Sequence, residues 1–417
     1  MKKSERTLVM LIPLILILFS FCAMQPNLIS ASSSPDNWPM FHHDIAHSGV
    51  STSAAPSTNQ TLWKCTINPT AEFSGVEDSP AVVNGVVYVG TNDGRVYAFD
   101  AYNGSRLWNY TTDGSIFSSP AVVSGVVYVG SYDHNVYALN ATTGNKIWNY
   151  TTQGGVDSSP AVADSVVYVG AQNNVYGFNA FNGAVAWNYS SNGQADSSPA
   201  VVNGIVYVGS NNVLLALDTA TSKQIWNYTT GSTIYSAPTV VGGMVYVGSF
   251  DNKTYALDAA TGALKWNYTT GAQVYSSPAV ANGVVYTGSE DGNFYALNAA
   301  TGTLIWNYTT KGWVVSSPAI ANGVILVGSN DGNLYALNAT NGHFLWSYQT
   351  ENYVDCSPAI VDGVVYVGSD NGNFFAIGTT SPVPEFATWM LLSLPMAVIV
   401  IIVVGCKTKF YKKEKAV

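Results

Sequence analysis

Residues 277–309 read SPAVANGVVYTGSEDGNFYALNAATGTLIWNYT. This pattern returns along the chain in steps of 39 or 40 residues, and its proline marks each copy. The eight marker prolines are Pro80, Pro120, Pro160, Pro199, Pro238, Pro278, Pro318 and Pro358. A fixed period of this size is typical of a solenoid, a propeller or an array of one supersecondary unit.

Each copy divides into four short apolar runs, which in the sixth copy are 277–280, 284–289, 294–297 and 304–307. The runs are rich in Val, Ile, Tyr and Trp, which favour strands. Pairs such as Asn282-Gly283 separate them, where a tight hairpin needs residues that tolerate positive φ. The repeats therefore predict an all-β domain of four-stranded antiparallel sheets. Such sheets cover each other's faces when they are arranged radially as propeller blades.

A tryptophan near the end of the copy shows how the ring closes. Seven copies contain it, whereas the eighth stops near Ile377 without its fourth run. The missing strand precedes the first copy, as Thr61 to Cys65, and contains Trp63. We therefore expect an eight-bladed β-propeller over residues 61–378, with the last blade completed by the amino-terminal strand. The eight tryptophans are Trp63, Trp108, Trp148, Trp187, Trp226, Trp266, Trp306 and Trp346.

The run Ala256-x-Asp258-x-x-Thr261-Gly262-x-x-x-Trp266 resembles the tryptophan-docking motif of pyrroloquinoline-quinone-type (PQQ-like) propeller repeats. The lead-in segment, 32–60, which contains WPMFHHD at 38–44, also resembles that family, so the likeness spans about residues 38–378. The resemblance implies that the eight tryptophans pack between adjacent blades. The PQQ-like family includes quinone-dependent dehydrogenases, a lipoprotein of the outer-membrane barrel-assembly machinery and many surface proteins of unknown role.

The four cysteines argue against the dehydrogenase members. Those enzymes carry an adjacent cysteine pair over the quinone and a Glu/Asn/Asp set for calcium, whereas Cys22, Cys65, Cys356 and Cys406 are all far apart in sequence. We predict no catalytic residues, no pyrroloquinoline quinone and no other resident cofactor, with calcium as the one open possibility. Cys65 belongs to an outermost strand and Cys356 precedes an innermost one, about 14 Å away. We therefore expect no disulfide between them.

Both ends of the chain read as membrane signals. Residues 1–31 combine basic residues with an apolar core, which indicates a secretory signal, or an anchor if it is not cleaved. The apolar stretch 387–406 is long enough for one transmembrane helix, and the basic tail 407–417 places the propeller outside. The linker 379–386 ends in Pro384-Glu385-Phe386, a tripeptide that resembles the archaeal PEF-type sorting signal. A plain single-span anchor is the alternative.

Charge agrees with an external location. Region 32–383 holds eight basic and 22 acidic residues, a net charge of −14, which excludes a nucleic-acid partner because nucleic acid requires a basic surface. The repeated Trp-Asn-Tyr-Thr/Ser element supplies glycosylation sequons. The alternative is that Asn and Thr occur here only because they suit an exposed outer strand, with no sugar attached. The six candidate asparagines are Asn109, Asn149, Asn188, Asn227, Asn267 and Asn307.

A comparison of the copies with each other locates a candidate ligand site. The residue three before each proline varies most, and it lies where an outer strand leads to the next inner strand, so the eight should ring the axis on one face. They are Glu77, Phe117, Asp157, Asp196, Tyr235, Tyr275, Val315 and Asp355, with Asp78 and Trp313 nearby. Carboxylates and aromatic rings around one funnel suit a cation or a sugar. A solvated rim of loops is the alternative, as ordinary turn chemistry is for Asp93-Gly94 and Asp331-Gly332.

Other constellations are sparse. His42, His43 and His47 have a metal-like spacing, although packing or solvation explains them as well; metal ligands therefore remain unassigned. The sequence favours a monomeric, non-enzymatic binding or scaffold propeller on the cell surface, whose partner is a protein, a glycan or a cation of the envelope. A quinone-dependent dehydrogenase and a purely structural envelope component are the alternatives.

Overall fold

The computed structural model describes residues 37–67 and 75–379, which form a closed ring of eight antiparallel sheets. The predictions for the signal 1–31, for Pro384-Glu385-Phe386, for the membrane helix 387–406 and for the tail 407–417 lie outside these residues. Within the described part, no helix is long and apolar enough to cross a membrane. The fold class predicted for the repeats is confirmed.

Two strands of each blade form its inner half and are almost wholly buried. The innermost strands have three residues each: β3 (Ala81–Val83), β7 (Ala121–Val123), β11 (Ala161–Ala163), β15 (Ala200–Val202), β19 (Thr239–Val241), β23 (Ala279–Ala281), β27 (Ala319–Ala321) and β31 (Ala359–Val361). The second strands are β4 (Val86–Thr91), β8 (Val126–Gly130), β12 (Val166–Ala171), β16 (Ile205–Ser210), β20 (Met244–Ser249), β24 (Val284–Gly288), β28 (Val324–Gly328) and β32 (Val364–Gly368).

The other two strands form the outer half of each blade. The third strands are β5 (Arg95–Asp100), β9 (Asn135–Asn140), β13 (Asn174–Asn179), β17 (Val213–Asp218), β21 (Lys253–Asp258), β25 (Asn293–Asn298), β29 (Asn333–Asn338) and β33 (Asn373–Gly378). The outermost strands are β6 (Arg106–Thr111), β10 (Lys146–Thr151), β14 (Val185–Ser190), β18 (Gln224–Thr229), β22 (Leu264–Thr269), β26 (Leu304–Thr309), β30 (Phe344–Gln349) and β2 (Thr61–Thr66). The outermost strands are largely exposed because they form the circumference.

Ring closure follows the predicted strand exchange. Strand β2 pairs with β33 to complete blade eight, in the sheet order β2-β33-β32-β31. Its Trp63 lies opposite Ala376, as Trp266 lies opposite Ala256 in blade five. The two ends of the domain are therefore joined by the register that every other blade uses.

The junction between blades five and six shows how tryptophan docking works. Trp266 Nε1 of blade five donates to the carbonyl oxygen of Ala299 in blade six at 2.9 Å, and Tyr246 donates to the same oxygen at 3.3 Å. Gly302 of blade six has a φ of +72°, and a Cβ there would lie 2.6 Å from the Trp266 ring. Glycine is therefore required both by the left-handed backbone and by the ring that packs on it.

Six of the eight tryptophans make this inter-blade hydrogen bond to an alanine of the next blade. They are Trp63, Trp108, Trp148, Trp226, Trp266 and Trp306. The exception inside the ring is the junction of blades three and four, where Trp187 Nε1 has no partner. At that junction Thr219 replaces the alanine and Ser222, at φ 55°, replaces the glycine. The docking pattern is thus shared but not uniform.

The lead-in segment occupies the axis of the ring. Trp38 exchanges two backbone hydrogen bonds with Val82 of blade one. Further along, β1 (Val50–Ser51) pairs in parallel with β27 of blade seven. Backbone carbonyls between these points accept N–H groups from the inner strands of blades two, four, five and six, at 2.7–3.1 Å. The segment therefore fastens the blades to each other from inside.

Two lead-in histidines have a packing role. His42 and His47 are 2% and 1% exposed, and their ring nitrogens contact backbone carbonyls, that of Pro318 at 2.9 Å and that of Pro238 at 3.1 Å. Burial lowers the pKa of both imidazoles to about 4. At neutral pH they are uncharged, and they support the segment that fills the axis.

Candidate functional site

The variable ring residues lie together in the lining of one cavity of about 520 Å³. The cavity opens on the face where outer strands lead to inner ones, and Asp78 and Trp313 also line it. The residues that the structure brings together are Glu77, Phe117, Asp157, Asp196, Tyr235, Tyr275, Val315 and Asp355. We call this cavity the funnel. Ligand binding there stays a prediction.

The floor of the funnel comes from the lead-in, and its inner wall comes from a part of the chain that hardly varies between blades. Phe41 of the lead-in lies at the floor and stacks on His42, with ring centroids 5.2 Å apart. Around it runs a belt of serines that directly precede the marker prolines. The Ser79 N–H donates to Ser119 Oγ at 3.0 Å, and equivalent bonds link blades two to three, three to four, five to six, six to seven and seven to eight.

Six of the seven belt serines accept a hydrogen bond from the preceding blade, so their hydroxyl protons remain for other partners. The belt is interrupted between blades four and five, where Ala237 stands in the serine position. The funnel therefore has a polar, rigid inner wall, on which the variable residues of the mouth are mounted.

Carboxyl groups dominate one side of the funnel. Burial raises the pKa of Asp157 to about 7, and the neighbouring Asp196 carboxylate adds to the shift. Burial also raises the pKa of Asp196 to about 6. Both shifts mean that the charged form lacks solvent, a cost that the hydrogen bond from Gln194 to Asp196 offsets only in part. Blades three and four thus bring two carboxyl groups that are partly protonated near neutral pH.

Blades eight and one continue this acidic side. Burial raises the pKa of Asp355 to about 6 and that of Asp370 to about 8, and Glu77 adds to both shifts. The pKa of Asp78 lies well above its usual range because the side chain is buried, with Glu77 and Asp157 as further causes. No Lys, Arg or His is among the residues that line the funnel. The funnel lining therefore contains acidic groups without a basic counterpart among the described residues.

Aromatic rings form the opposite side. Tyr235 and Tyr275 stack with centroids 5.6 Å apart and an angle of 14° between their planes, and Phe250 packs against both. Trp313 remains 56% exposed beside them. Phe117 meets Tyr132 edge to face at 5.7 Å. Blades five, six and seven thus offer aromatic faces opposite most of the acids, although Glu290 of blade six also lines the funnel, and Phe117 and Tyr132 of blade two lie between the acids of blades one and three.

The structure adds a second variable ring that the sequence analysis missed. It consists of the first residue in the turn between the second and third strands of each blade: Asn92, Tyr132, Gln172, Asn211, Phe250, Glu290, Asn330 and Asp370. Several of these contact the first ring, as Asn92 does by donating to Glu77 Oε1 at 2.5 Å. The sequence could have predicted this second ring, because the residue at this position also differs from copy to copy. The Asp side chains of these turns act as caps: Asp331 Oδ2 accepts from Tyr335 at 2.7 Å.

The ligand types can be tested against these residues. Among residues 37–67 and 75–379, no group of three His, Cys, Asp or Glu side chains is arranged to hold a metal ion. Calcium in the funnel therefore remains a prediction without a built cage. Pyrroloquinoline quinone is a polycarboxylate, and a funnel lined by six acids and no basic residue does not fit it. The residues present do not match the quinone.

Two further predictions concern residues outside the funnel. Cys65 and Cys356 are free thiols, so the expected absence of a disulfide between them is confirmed. The six sequon asparagines of the outermost strands are all exposed. Their glycosylation stays a prediction.

The fold and the funnel define the class of protein: a closed eight-bladed PQQ-like repeat propeller. The sequence profile of the family described as "Outer membrane protein assembly factor BamB" matches residues 47–199, 171–276 and 269–381. Because these matches span more than half of the 417 residues, the chain belongs to that family. A search of curated protein sequences finds no match.

Solved structures share the fold at low sequence identity. BamB from Moraxella catarrhalis is 19% identical, with a TM-score of 0.68, over 77% of this chain and 100% of that chain. The quinohemoprotein alcohol dehydrogenase from Comamonas testosteroni is 17% identical, with a TM-score of 0.71, over 85% and 82%. The computationally designed protein Ika8 is 16% identical, with a TM-score of 0.68, over 77% and 100%. These likenesses concern the fold alone.

Proposed function

We propose that this protein is a non-enzymatic binding propeller of the cell envelope, which recognises an envelope component through the funnel. The observation that carries the proposal is the contrast inside the repeat. Framework positions keep their residue in nearly every blade, while the two rings at the funnel mouth hold most of their acids on blades eight, one, three and four and most of their aromatic rings on blades five to seven. Such a concave site with a few convergent polar groups is the usual form of a binding site.

Membership in the BamB family supports a role in the envelope, since that family is described as an outer-membrane assembly factor. The sequence at both ends supports a protein exported by residues 1–31 and held by 387–406, with the propeller outside the cell. Under this proposal the blades are a rigid scaffold and the funnel is the recognition surface.

Dehydrogenase neighbours in the structural comparison share the fold, but the funnel residues do not favour an enzyme. The described cysteines are separate free thiols, and the acidic lining does not match an anionic quinone. We therefore propose binding without chemistry.

Site-directed photo-crosslinking in native envelopes tests this proposal. A benzoylphenylalanine replaces either Tyr275 at the funnel mouth or Ile305 on an outermost strand, two positions with matched exposure of 45% and 46%. We expect a discrete cross-linked partner from position 275 and none from position 305. Cross-linking from position 305 alone, or equally from both, contradicts the funnel as the recognition surface.

A further inference from the structure

One residue breaks the repeat at the base of the funnel. The position two before the marker proline is serine in six blades, Cys356 in blade eight and Asp78 in blade one. The serines and the cysteine hold the fold together there: Ser316 Oγ, for example, donates to the Cys356 carbonyl at 3.1 Å and accepts the Gly328 N–H at 3.1 Å. Asp78 is the one acid in this ring of small side chains.

Asp78 has no structural partner that explains its charge. It is only 5% exposed, it lines the funnel, and its Oδ2 has no hydrogen-bond partner. A buried carboxylate without compensation is costly, so such groups are normally paired or bind a cation. The buried Oδ1 atoms of Asp157, Asp355 and Asp370 also lack partners. None of these acids takes part in an ion pair found among the described residues.

A carboxyl group in this position is neutralised either by a proton, when the funnel is empty, or by a bound cation, and the other residues of the funnel indicate which kind of cation fits. A bare metal ion requires several oxygen ligands within about 2.6 Å, and the acids lie instead on blades one, three, four, six and eight without a three-residue metal cluster among the described residues. Facing them are the stacked rings of Tyr235 and Tyr275 and the exposed Trp313. Aromatic faces attract organic cations and leave the cation's aliphatic part in apolar contact.

We propose that the funnel binds an organic cation, an ammonium or guanidinium group on an aliphatic chain, with Asp78 as the deepest counter-charge and the Tyr235–Tyr275 side as the apolar wall. This inference rests on the proposed function and names the ligand chemistry of the same site. A cavity of about 520 Å³ has room for such a group and several attached carbons. The cation is either a small free amine or a Lys or Arg side chain of a partner polypeptide.

Calorimetric titration of the purified full-length protein tests the inference, at pH 7.5 and constant ionic strength. The probes are spermidine, Nα-acetyl-arginine amide, a short Arg- and Lys-containing peptide, calcium chloride and glucose. We expect saturable binding of the amine or guanidinium probes and much weaker binding of calcium and glucose. Tighter binding of spermidine assigns a small amine, and tighter binding of the peptide assigns a polypeptide partner; both results support the inference.

Three variants test whether cation binding depends on the funnel acids or only on the overall negative charge of the protein. Asp78→Ser introduces the residue that six other blades have at this position, so we expect it to fold and to weaken cation binding at least tenfold. Asp157→Asn should weaken it as well. Cys356→Ser changes the same ring position in blade eight without removing a charge, and we expect unchanged affinity.

Equal cation affinity in wild type, Asp78→Ser and Asp157→Asn overturns the inference, as does binding of calcium or glucose in place of the amines. Either result leaves the proposed function open to its own test, since cross-linking from position 275 reports a partner whatever its charge. Loss of cross-linking together with retained amine binding would instead contradict the envelope partner and leave the cation site standing.

Discussion

At the junction of blades five and six, Trp266, Tyr246 and Gly302 occupy positions whose residues return in almost every blade. At the funnel mouth the same two blades present Tyr235 and Tyr275, whose counterparts in blades three and four are Asp157 and Asp196. Both regions come from one 40-residue unit. The comparison teaches that the contacts between blades are nearly uniform within this chain while the funnel is asymmetric, which is expected if the first region supplies stability and the second recognition.

The largest difference between the two regions should appear when a tryptophan is removed from each. Trp148 is a docking residue, 8% exposed, that donates to the Ala180 carbonyl at 2.9 Å. We expect Trp148→Ala to lower the free energy of unfolding by about 3–5 kcal/mol, because it leaves a large cavity between blades.

The matched control is Trp313→Ala at the funnel mouth, where the ring is 56% exposed. Its effect on unfolding should stay within about 0.5 kcal/mol. Chemical denaturation of both variants measures the two effects. Similar losses in the free energy of unfolding for both variants would contradict the distinction between framework and funnel.

The pH dependence of stability sharpens the comparison further. Asp157, Asp196, Asp355 and Asp370 have folded-state pKa values of about 6 to 8, raised by burial above their ordinary value of 3.8. The folded protein therefore binds more protons than the unfolded chain, and the stability contributed by these groups is lost as pH rises through their folded pKa values. Between pH 5 and 8 we expect unfolding to become easier by about 1 kcal/mol or more.

The buried histidines of the lead-in change stability with pH in the opposite direction. The pKa of His42 and of His47 falls to about 4, so their contribution is present above pH 6.5 and is lost as pH falls through 4. Between pH 4 and 6 the four carboxyl groups outweigh the two imidazoles, so melting curves from pH 3 to 9 should show a maximum near pH 4 and a decline above it. Asp157→Asn should flatten only the alkaline side, and a pH profile that keeps its alkaline slope in this variant contradicts the assignment.

A smaller effect is expected where the framework itself departs from the repeat. Ser222 occupies a left-handed position that is glycine in the other complete junctions, next to Trp187. We expect Ser222→Gly to stabilise the protein by about 0.5 kcal/mol, because it relieves the left-handed serine at some cost in chain entropy.

The reciprocal change, Gly183→Ser, should destabilise by about 1–2 kcal/mol, since a Cβ at Gly183 would lie 2.7 Å from the Trp148 ring. Denaturation midpoints measured side by side check both signs. A stabilising Gly183→Ser would show that the docking glycine is not required.

The sequence predicts much of this architecture because the repeat period gives the blade count and the displaced strand shows how the ring closes. Eight prolines and the displaced Trp63 are enough to derive the blade count and the strand exchange of β2, since a four-stranded unit can bury its faces only against neighbours. The first funnel ring follows from the same periodicity. The position of Phe41 does not, because the lead-in is not a repeat and its carbonyls bind six different inner strands. The partial protonation of Asp157 depends on burial at the closed ring, which no local pattern records.

The central claim, that the asymmetric funnel and not the uniform framework recognises the partner, is tested most directly by one measurement. It is the yield of the cross-linked partner from position 275 in a protein that also carries Asp78→Ser, Asp157→Asn and Asp355→Asn. We predict that the yield falls at least tenfold while the melting temperature at pH 7.5 stays equal or rises, since three uncompensated carboxyl groups have been removed. An unchanged yield with an unchanged fold would contradict the claim.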